Sequence, residues 1–329
     1  MYLSSSIDHV LSSPKLGRPV CAVSIGFPPG RPLESILEIV GAEVPSNCDL
    51  VVLPETFLGQ NESSAQSLDG PCIRAFAELA LKHGTYIVCP IDRRHQDRRF
   101  NSAVLIDRAG RIAAVYDKIQ PLWWTECQLE PPVVPGEDVV VCDTDFGRLG
   151  LSICFDINWP GHWRALAEAG AELVVWPSAY SGGRLLQAHA IQNHYYILTS
   201  TWWPDCRVYD IDGSVIGFEQ RNRGDDLNVT TVTLDLDRRI FHYDRHQYFR
   251  ASLARDFPGE IIEERHHDEE AWFILKAARP GVSVPEFAAR HGLMELREYL
   301  DQATRELDRG RLSQEAVAFA SAAAGTVRR

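Results

Sequence analysis

Short apolar runs alternate with longer amphipathic stretches from residue 20 onward. VCAVSIGF (20–27) and DLVVLPET (49–56) have the length and apolar content of buried strands. Between them, PLESILEIVGA (32–42) has helical periodicity and begins with a proline, which favours the first turn of a helix. PCIRAFAELALKHG (71–84) has the same periodicity and is closed by a glycine. Strands that alternate with helices predict an α/β fold.

The same alternation continues to about residue 236. Short turns such as DRAG (107–110) and FGR (146–148) predict hairpins, which argue against a purely parallel sheet. We therefore predict two mixed β-sheets between helical layers. The further predicted strands are 85–94, 101–118, 139–156, 172–179, 198–203, 207–218 and 227–236, and the further predicted helices are 160–171 and 183–197.

Composition shifts near residue 255, and this shift predicts the domain boundaries. We expect a polar extension over 1–18, the main α/β domain over 19–255, and a helical C-terminal extension over 256–329 in which no strand follows residue 268. Residues 283–300 have the pattern of a helix-turn-helix, but between residues 279 and 311 there are six arginines and six acidic residues, whereas a DNA-reading helix needs a basic face. An extension that mediates oligomerisation or covers the active site is expected instead.

The bulk composition excludes several function classes. Apolar residues make up 45% and charged residues 24% of the chain, as in globular proteins, and the net charge of -12 disfavours nucleic-acid and anionic-membrane partners. No apolar run reaches the roughly 20 residues of a membrane span, and the first 18 residues lack the apolar core of a secretory signal. The eight cysteines are scattered without metal-binding spacing, so we expect a reducing cytoplasm, no metal and no cofactor.

Cys154 is the first candidate for chemistry. In GLSICFDINWP (150–160) it ends an apolar run and is followed by polar residues and a helix-starting proline. A nucleophile at such a strand-to-helix turn is held rigidly, and backbone N–H groups of the turn can stabilise an oxyanion. A cysteine at a strand end is nevertheless more often a small core residue. Ser152 half-matches the G-x-S-x-G elbow, but the last glycine is missing, so we discount it.

Glu55 and Lys118 also follow apolar strands. Glu55 in VVLPETF has the placement of ligand-binding residues at the carboxyl ends of strands, where a carboxylate could accept a thiol proton. Lys118 in VYDKIQP could stabilise an oxyanion as a fixed positive charge. Each has a commoner structural alternative: a charged residue at a loop edge, and a solvated lysine at a strand end.

Taken together, these segments resemble the nitrilase superfamily of carbon–nitrogen hydrolases over roughly residues 19–250. LPET, D-K-I-Q-P and I-C-F-D are similar to its three catalytic motifs, and GAELVVWPSA (170–179) and AHAIQN (188–193) are similar to two later segments. The resemblance implies a four-layer α-β-β-α sandwich that assembles as a homodimer or higher homo-oligomer. It implies a Cys154 thioester, with Glu55 as base and acid and with Lys118 and the Phe155 N–H holding the oxyanion.

Further site residues follow from the same resemblance. Many members have a second glutamate after the lysine; Glu126 lies eight residues past Lys118 and is favoured, while Glu130 is its competitor. We expect the substrate to contact side chains that lie on the lysine loop, after the nucleophile and beside the next strand: Trp124, Trp159, Ser178 and Tyr180.

Departures from the common pattern bear on the substrate. Phe155-Asp156 stands where nitrilases have Trp-Glu, and Ile157-Asn158 stands where carbamoyl-amino-acid hydrolases often have arginines. Gly161, His189 and Gln192 replace residues that look structural, so altered packing is expected there. We therefore predict an amidase that releases ammonia or an amine from a small amide. A nitrilase, a carbamoyl-compound hydrolase, an acyltransferase and a catalytically silent binding protein are the alternatives.

Overall fold

The computed structural model describes residues 15–125, 128–130, 133–203, 205–217 and 226–312. The described chain divides into two compact units, Pro19–Leu236 and a second unit that contains residues 15–18 and 237–312. This division falls earlier than the boundary expected near residue 255. The reason is that strand Arg239–His242 pairs with the strand Trp272–Ala277. It therefore belongs to the second unit, although it precedes the shift in composition near residue 255.

The first sheet of the larger unit has six strands in the order β14-β1-β2-β3-β4-β5. The strands are β1 (Pro19–Gly26), β2 (Leu50–Val52), β3 (Tyr86–His95), β4 (Arg98–Ile106), β5 (Ile112–Asp117) and β14 (Asn228–Asp235). The pairs β1–β2 and β2–β3 are parallel, whereas β14, β4 and β5 add antiparallel neighbours. The sheet is therefore mixed, as the predicted hairpins required.

The second sheet also has six strands, in the order β13-β12-β11-β10-β9-β8. The strands are β8 (Val140–Asp143), β9 (Arg148–Leu151), β10 (Leu173–Ser178), β11 (Tyr196–Thr201), β12 (Val208–Tyr209) and β13 (Val215–Gly217). The three central strands β9, β10 and β11 run parallel, and the outer ones are antiparallel. A separate two-stranded sheet, β6 (Trp123–Thr125) with β7 (Gln128–Leu129), follows Lys118.

Helices cover the outer face of each sheet. Helices α1 (Leu33–Glu43) and α2 (Pro71–His83) bury apolar side chains against the first sheet, and α3 (Pro160–Glu168) and α4 (Arg184–Asn193) do so against the second. The inner faces meet where the Ser24 hydroxyl of β1 donates to the Thr199 carbonyl of β11 (2.5 Å). This α-β-β-α order confirms the predicted four-layer sandwich.

The smaller unit contains a three-stranded antiparallel sheet in the order β15-β17-β16, with β15 (Arg239–His242), β16 (Ile261–His267) and β17 (Trp272–Ala277). Its helices are α5 (Tyr243–Asp256), α6 (Val284–His291) and α7 (Leu296–Leu312). Helices α6 and α7 agree with the expected helical extension, but β17 follows residue 268, where no strand was expected. Among the described residues, no helix is both long and apolar enough to cross a membrane.

Candidate active site

The three predicted side chains lie in loops that directly follow strands. Glu55 lies three residues after β2, Lys118 is the first residue after β5, and Cys154 lies three residues after β9. Because β2 and β9 each run parallel to a neighbouring strand, the residues after them lie at the carboxyl edge of their sheet, where ligands bind in α/β proteins. All three side chains are buried, and Lys118 Nζ lies 3.0 Å from Glu55 Oε1.

Lys118 is held between two glutamates. Its ammonium contacts Glu130 Oε1 at 2.5 Å as well as Glu55, and its side chain is fully buried. Burial alone would lower the pKa of this lysine, but the negative charges of Glu55 and Glu130 outweigh burial and raise the pKa. Lys118 is therefore a permanent cation at this position.

Asn101, which the sequence analysis missed, organises these charges. Its side-chain Nδ2 donates to Glu55 Oε1 (2.7 Å) and to Glu130 Oε1 (3.3 Å), and its backbone carbonyl accepts from the backbone N–H of Lys118 (2.8 Å). A neutral donor between two carboxylates reduces their repulsion and orients both toward the lysine. The Trp202 indole N–H fixes the loop further by donating to the Glu55 carbonyl (2.5 Å).

Gly136 secures the backbone of Lys118. Its N–H donates to the Lys118 carbonyl (2.9 Å), and a Cβ at Gly136 would lie 2.1 Å from the Asp117 carbonyl oxygen. Only glycine permits this approach of the two backbones. The loop that begins at Lys118 is thus closed against the end of β5.

Cys154 begins a 3₁₀ helix, Cys154–Asn158, with a backbone φ of +43°. A positive φ is strained for a residue with a Cβ and persists where surrounding contacts determine the backbone. The Trp176 indole N–H provides one such contact by donating to the Cys154 carbonyl (3.0 Å). The sequence predicted the turn, but β9 ends at Leu151 and does not reach Cys154.

Groups around Cys154 shift the pKa of its thiol in opposite directions. Burial and the Glu55 charge raise the pKa of the thiol above its ordinary value, whereas Lys118 and hydrogen bonds from the Ser178 hydroxyl and the Ala179 N–H act to lower it. The net effect is to raise the pKa of the thiol. A nearby proton acceptor is therefore required to generate the thiolate.

The other predicted residues have mixed outcomes. Ser178 is fully buried beside Cys154, and Trp159 packs edge-on against the Phe155 ring at 5.4 Å. Burial raises the pKa of Tyr180, whose ring packs edge-on against Trp176 at 5.5 Å. Trp124 lies in β6, but its side chain is outside the part of the molecule that the structure describes.

The structure describes one of the two candidate supporting glutamates. Glu126, which the spacing favoured, lies outside the described residues, whereas Glu130 contacts both Lys118 and Asn101. Glu130 is therefore the second glutamate placed on the lysine within the described part of the chain.

Two buried histidines pack behind the nucleophile turn. His189 stacks on Trp163 (4.4 Å between ring centroids), and its Nε2 lies 2.8 Å from the Ile157 carbonyl oxygen. His162 Nε2 lies 3.2 Å from Ser152 Oγ, but both residues are buried, and burial lowers the pKa of His162 to about 4. Within the described ranges, no group of three or more His, Cys, Asp or Glu side chains is arranged to hold a metal ion.

Comparison with known proteins identifies the fold's family. The model of the carbon-nitrogen hydrolase family matches residues 31–241, which is more than half of the chain. The chain belongs to the carbon-nitrogen hydrolase family. It is an enzyme of this hydrolase class, and its similarity to amidases extends this to amide carbon–nitrogen bonds in general.

One curated relative agrees with this assignment, and two solved structures share the fold. A deaminated glutathione amidase of Yersinia enterocolitica is 30% identical over 205 residues, which cover 52% of this chain and 72% of that protein. Nit3 of Saccharomyces cerevisiae, a nitrilase-superfamily member, superposes with a TM-score of 0.57 at 17% identity, over 74% of this chain and 97% of that one. A variant amidase of Nesterenkonia sp. AN1, with the acetamide moiety of fluoroacetamide on its active-site cysteine, has a TM-score of 0.57 at 22% identity over 74% and 97%.

Proposed function

We propose that this enzyme is an amidase that hydrolyses small amides through a thioester on Cys154. The observation that carries the proposal is the buried contact between Lys118 Nζ and Glu55 Oε1 at 3.0 Å, beside the thiol at the positive-φ turn. It combines a nucleophile, a proton acceptor and a fixed cation in one site. The Nesterenkonia amidase supports the assignment of the nucleophile, because its active-site cysteine carries the acetamide group.

Acylation begins with proton transfer from Cys154 Sγ to the Glu55 carboxylate. The thiolate attacks the amide carbon, a carbon–sulfur bond forms, and the carbonyl π electrons move to oxygen. Lys118 Nζ and the Phe155 N–H stabilise the resulting oxyanion. When the oxyanion collapses, the carbon–nitrogen bond breaks and the leaving nitrogen takes the proton from Glu55, so that ammonia or an amine departs.

Deacylation reuses the same groups. Glu55 takes a proton from a water molecule, and the water oxygen attacks the thioester carbon. The oxyanion that forms is held as before, and its collapse breaks the carbon–sulfur bond. The Cys154 thiolate leaves and recovers the proton from Glu55, which restores the resting thiol. Glu130 and Asn101 contribute by keeping Glu55 and Lys118 oriented through both half-reactions.

The residues after the nucleophile favour an amide as the substrate. Ile157 is buried in the core around Trp163, and the Asn158 side chain donates to the Phe155 carbonyl (3.1 Å), so neither offers a cation to a substrate carboxylate. This arrangement does not suit carbamoyl amino acids. The similarity to a deaminated glutathione amidase also favours an amide over a nitrile.

Aromatic side chains near the site favour an apolar or aromatic acyl group. Trp159 is 42% exposed and rests on the Phe155 ring, directly after the nucleophile. Tyr180 lies near Cys154 and packs edge-on against Trp176 at 5.5 Å. Exposed aromatic surface beside a reactive group commonly binds apolar ligands. Ser178 and the lysine-loop Trp124 complete the proposed set of substrate contacts.

The proposal includes a homo-oligomeric state and a reducing cytoplasm. Trp123 and Trp203 are 65% and 62% exposed, as large apolar residues at subunit interfaces often are in an isolated protomer. Within the described part of the chain, seven cysteines are free thiols, including Cys72 and Cys89, whose sulfurs lie 3.9 Å apart. Light scattering at several concentrations measures the first property, and thiol titration of freshly isolated protein measures the second.

A panel of amides, carbamoyl compounds and nitriles tests the activity through the release of ammonia or amine. The Cys154→Ala variant should release none, whereas Cys142→Ala, which changes a cysteine outside the site, should match the wild type. Adding hydroxylamine or an alcohol distinguishes the acyltransferase alternative, because a transferase passes the acyl group mainly to the acceptor and a hydrolase mainly to water. Turnover confined to nitriles, or product formation by Cys154→Ala, would contradict the proposal.

A further inference from the structure

Asp156 is a fully buried carboxylate, two residues after the nucleophile, to which the steps above assign no role. Its Oδ2 accepts from the Tyr116 hydroxyl (2.6 Å) and from the Ile153 N–H (2.9 Å), and its Oδ1 accepts from the Gln120 N–H (2.9 Å). Three donors from two parts of the chain thus converge on one side chain.

These donors flank the two reacting groups. Tyr116 and Gln120 lie two residues before and two residues after Lys118, and Ile153 immediately precedes Cys154. The Tyr116 hydroxyl also accepts from the Ile119 N–H (3.3 Å), which extends the network along the lysine loop. Asp156 therefore joins the loop that carries Lys118 to the turn that carries Cys154.

The same carboxylate stabilises the turn itself. Its Oδ2 accepts from the Ile153 N–H, while the Asp156 N–H donates back to the Ile153 carbonyl (3.0 Å). Cys154, with its positive φ, lies inside this reciprocal pair of hydrogen bonds. Strained backbone at a functional residue persists only when its surroundings hold it, and this pair supplies such support.

Burying this carboxylate is unfavourable. Burial raises the pKa of Asp156 to about 6, although its hydrogen bonds and the Lys118 charge favour the ionised form. An apolar residue in the same space would avoid the desolvation cost. The buried charge of Asp156 is unfavourable, yet it binds the backbone of both the lysine loop and the Cys154 turn. We attribute its presence to the positioning of these two segments.

We propose that Asp156 is a positioning residue whose carboxylate holds Lys118 in register with Cys154 and maintains the Cys154 turn. The inference rests on the proposed thioester chemistry. Only a carboxylate of this length satisfies the three donors, because Asn has a single acceptor oxygen and would turn an NH₂ group toward a backbone or hydroxyl donor. Glu would place an additional methylene in a fully packed space.

The test compares Asp156→Asn and Tyr116→Phe with the wild type. Tyr195→Phe is the matched control, since it removes another buried tyrosine hydroxyl, which bonds the Trp163 carbonyl away from the reacting groups. Two quantities are measured for each folded variant: the rate constant of Cys154 alkylation by iodoacetamide, located by peptide mass spectrometry, and kcat and KM for the best amide.

We expect Asp156→Asn to reduce kcat and the alkylation rate constant by about 100-fold, and Tyr116→Phe by about tenfold, with KM changed less than about threefold. Tyr195→Phe should match the wild type. A folded Asp156→Asn enzyme with both rates within threefold of the wild type would overturn the inference. If that variant does not fold, the same two results for Tyr116→Phe decide.

The alkylation measurement separates this inference from the proposed function. If wild-type Cys154 reacts no faster than the other cysteines, the nucleophile assignment itself fails. If wild-type Cys154 is the fastest and remains equally fast in the variants, the nucleophile assignment stands and the positioning role of Asp156 fails.

Discussion

Lys118 Nζ lies 3.0 Å from Glu55 Oε1, and both side chains are buried. The contact joins the ends of two strands, although the two residues are 63 positions apart in the sequence. In water such an ion pair would contribute little, but in a buried site its geometry is fixed and solvent does not screen it. The pair keeps a proton acceptor and a cation together beside Cys154. The following predictions test how the surrounding residues maintain it.

Glu130 should support the reaction more than Glu126. Glu130→Gln keeps the side-chain volume but removes the charge that contacts Lys118 at 2.5 Å, so Lys118 is less firmly held. We expect kcat to fall roughly 10- to 100-fold for Glu130→Gln and less than about threefold for Glu126→Gln. Steady-state kinetics of both variants on one amide measure this. A larger loss for Glu126→Gln would contradict the prediction and identify Glu126 as the supporting glutamate.

Gly136 should be irreplaceable for steric reasons. In Gly136→Ala the new methyl group would lie 2.1 Å from the Asp117 carbonyl oxygen and would displace the backbone of Lys118. We expect a loss of about 1–3 kcal/mol in the free energy of unfolding and a lower kcat. Gly161→Ala is the matched control, because nothing lies within 4 Å of its Cβ position near the start of α3. Denaturant unfolding of both variants gives the comparison, and equal stabilities would refute the steric argument.

His162 should make stability depend on pH. Burial lowers its pKa from 6.5 to about 4 in the folded protein, so the unfolded chain binds more protons between these values. Its contribution is therefore complete above pH 6.5 and is lost as the pH falls toward 4, by at most roughly 3 kcal/mol. The difference in unfolding free energy between wild type and His162→Gln should shrink over that range. A constant difference, like that expected for the exposed His95→Gln control, would contradict the prediction.

Trp159 should contribute to selectivity for aromatic amides. Removal of its partly exposed indole in Trp159→Ala eliminates an apolar surface next to Phe155. We expect KM for an aromatic amide to rise about tenfold, equivalent to about 1.4 kcal/mol, with little change for acetamide. Parallel kinetics on matched aromatic and aliphatic amides measure the effect. A clear preference of the wild type for small aliphatic amides would contradict the proposed apolar acyl group.

Local patterns were sufficient to predict the layers of the sandwich. The apolar runs around Val51 and Val174 and the helical periodicity of 71–84 are each encoded within a short segment, and they occur as expected. In contrast, β16 was missed because IIEERHH is rich in charged residues, which disfavour strands in sequence patterns. Its pairing with β17 depends on contacts that no local pattern shows.

Site residues divide in the same way. Glu55, Lys118 and Cys154 occur at strand ends in recognisable local segments, so the sequence alone predicted them. Asn101 and Asp156 act through contacts with residues 29–46 and 36–40 positions away, respectively, which only the fold brings near. The contact of Glu130 with Lys118 likewise depends on how the fold places the two residues, which spacing along the chain does not show.

The central claim, an acyl-enzyme on Cys154, is tested most directly by intact-protein mass spectrometry. The wild type, mixed with its best amide and quenched in acid within its first turnovers, should gain the mass of the acyl group, and peptide mapping should place that group on Cys154. Cys154→Ala should gain no mass and release no product. Product release by Cys154→Ala would contradict the mechanism. So would a wild-type adduct that maps to another cysteine, such as Cys142.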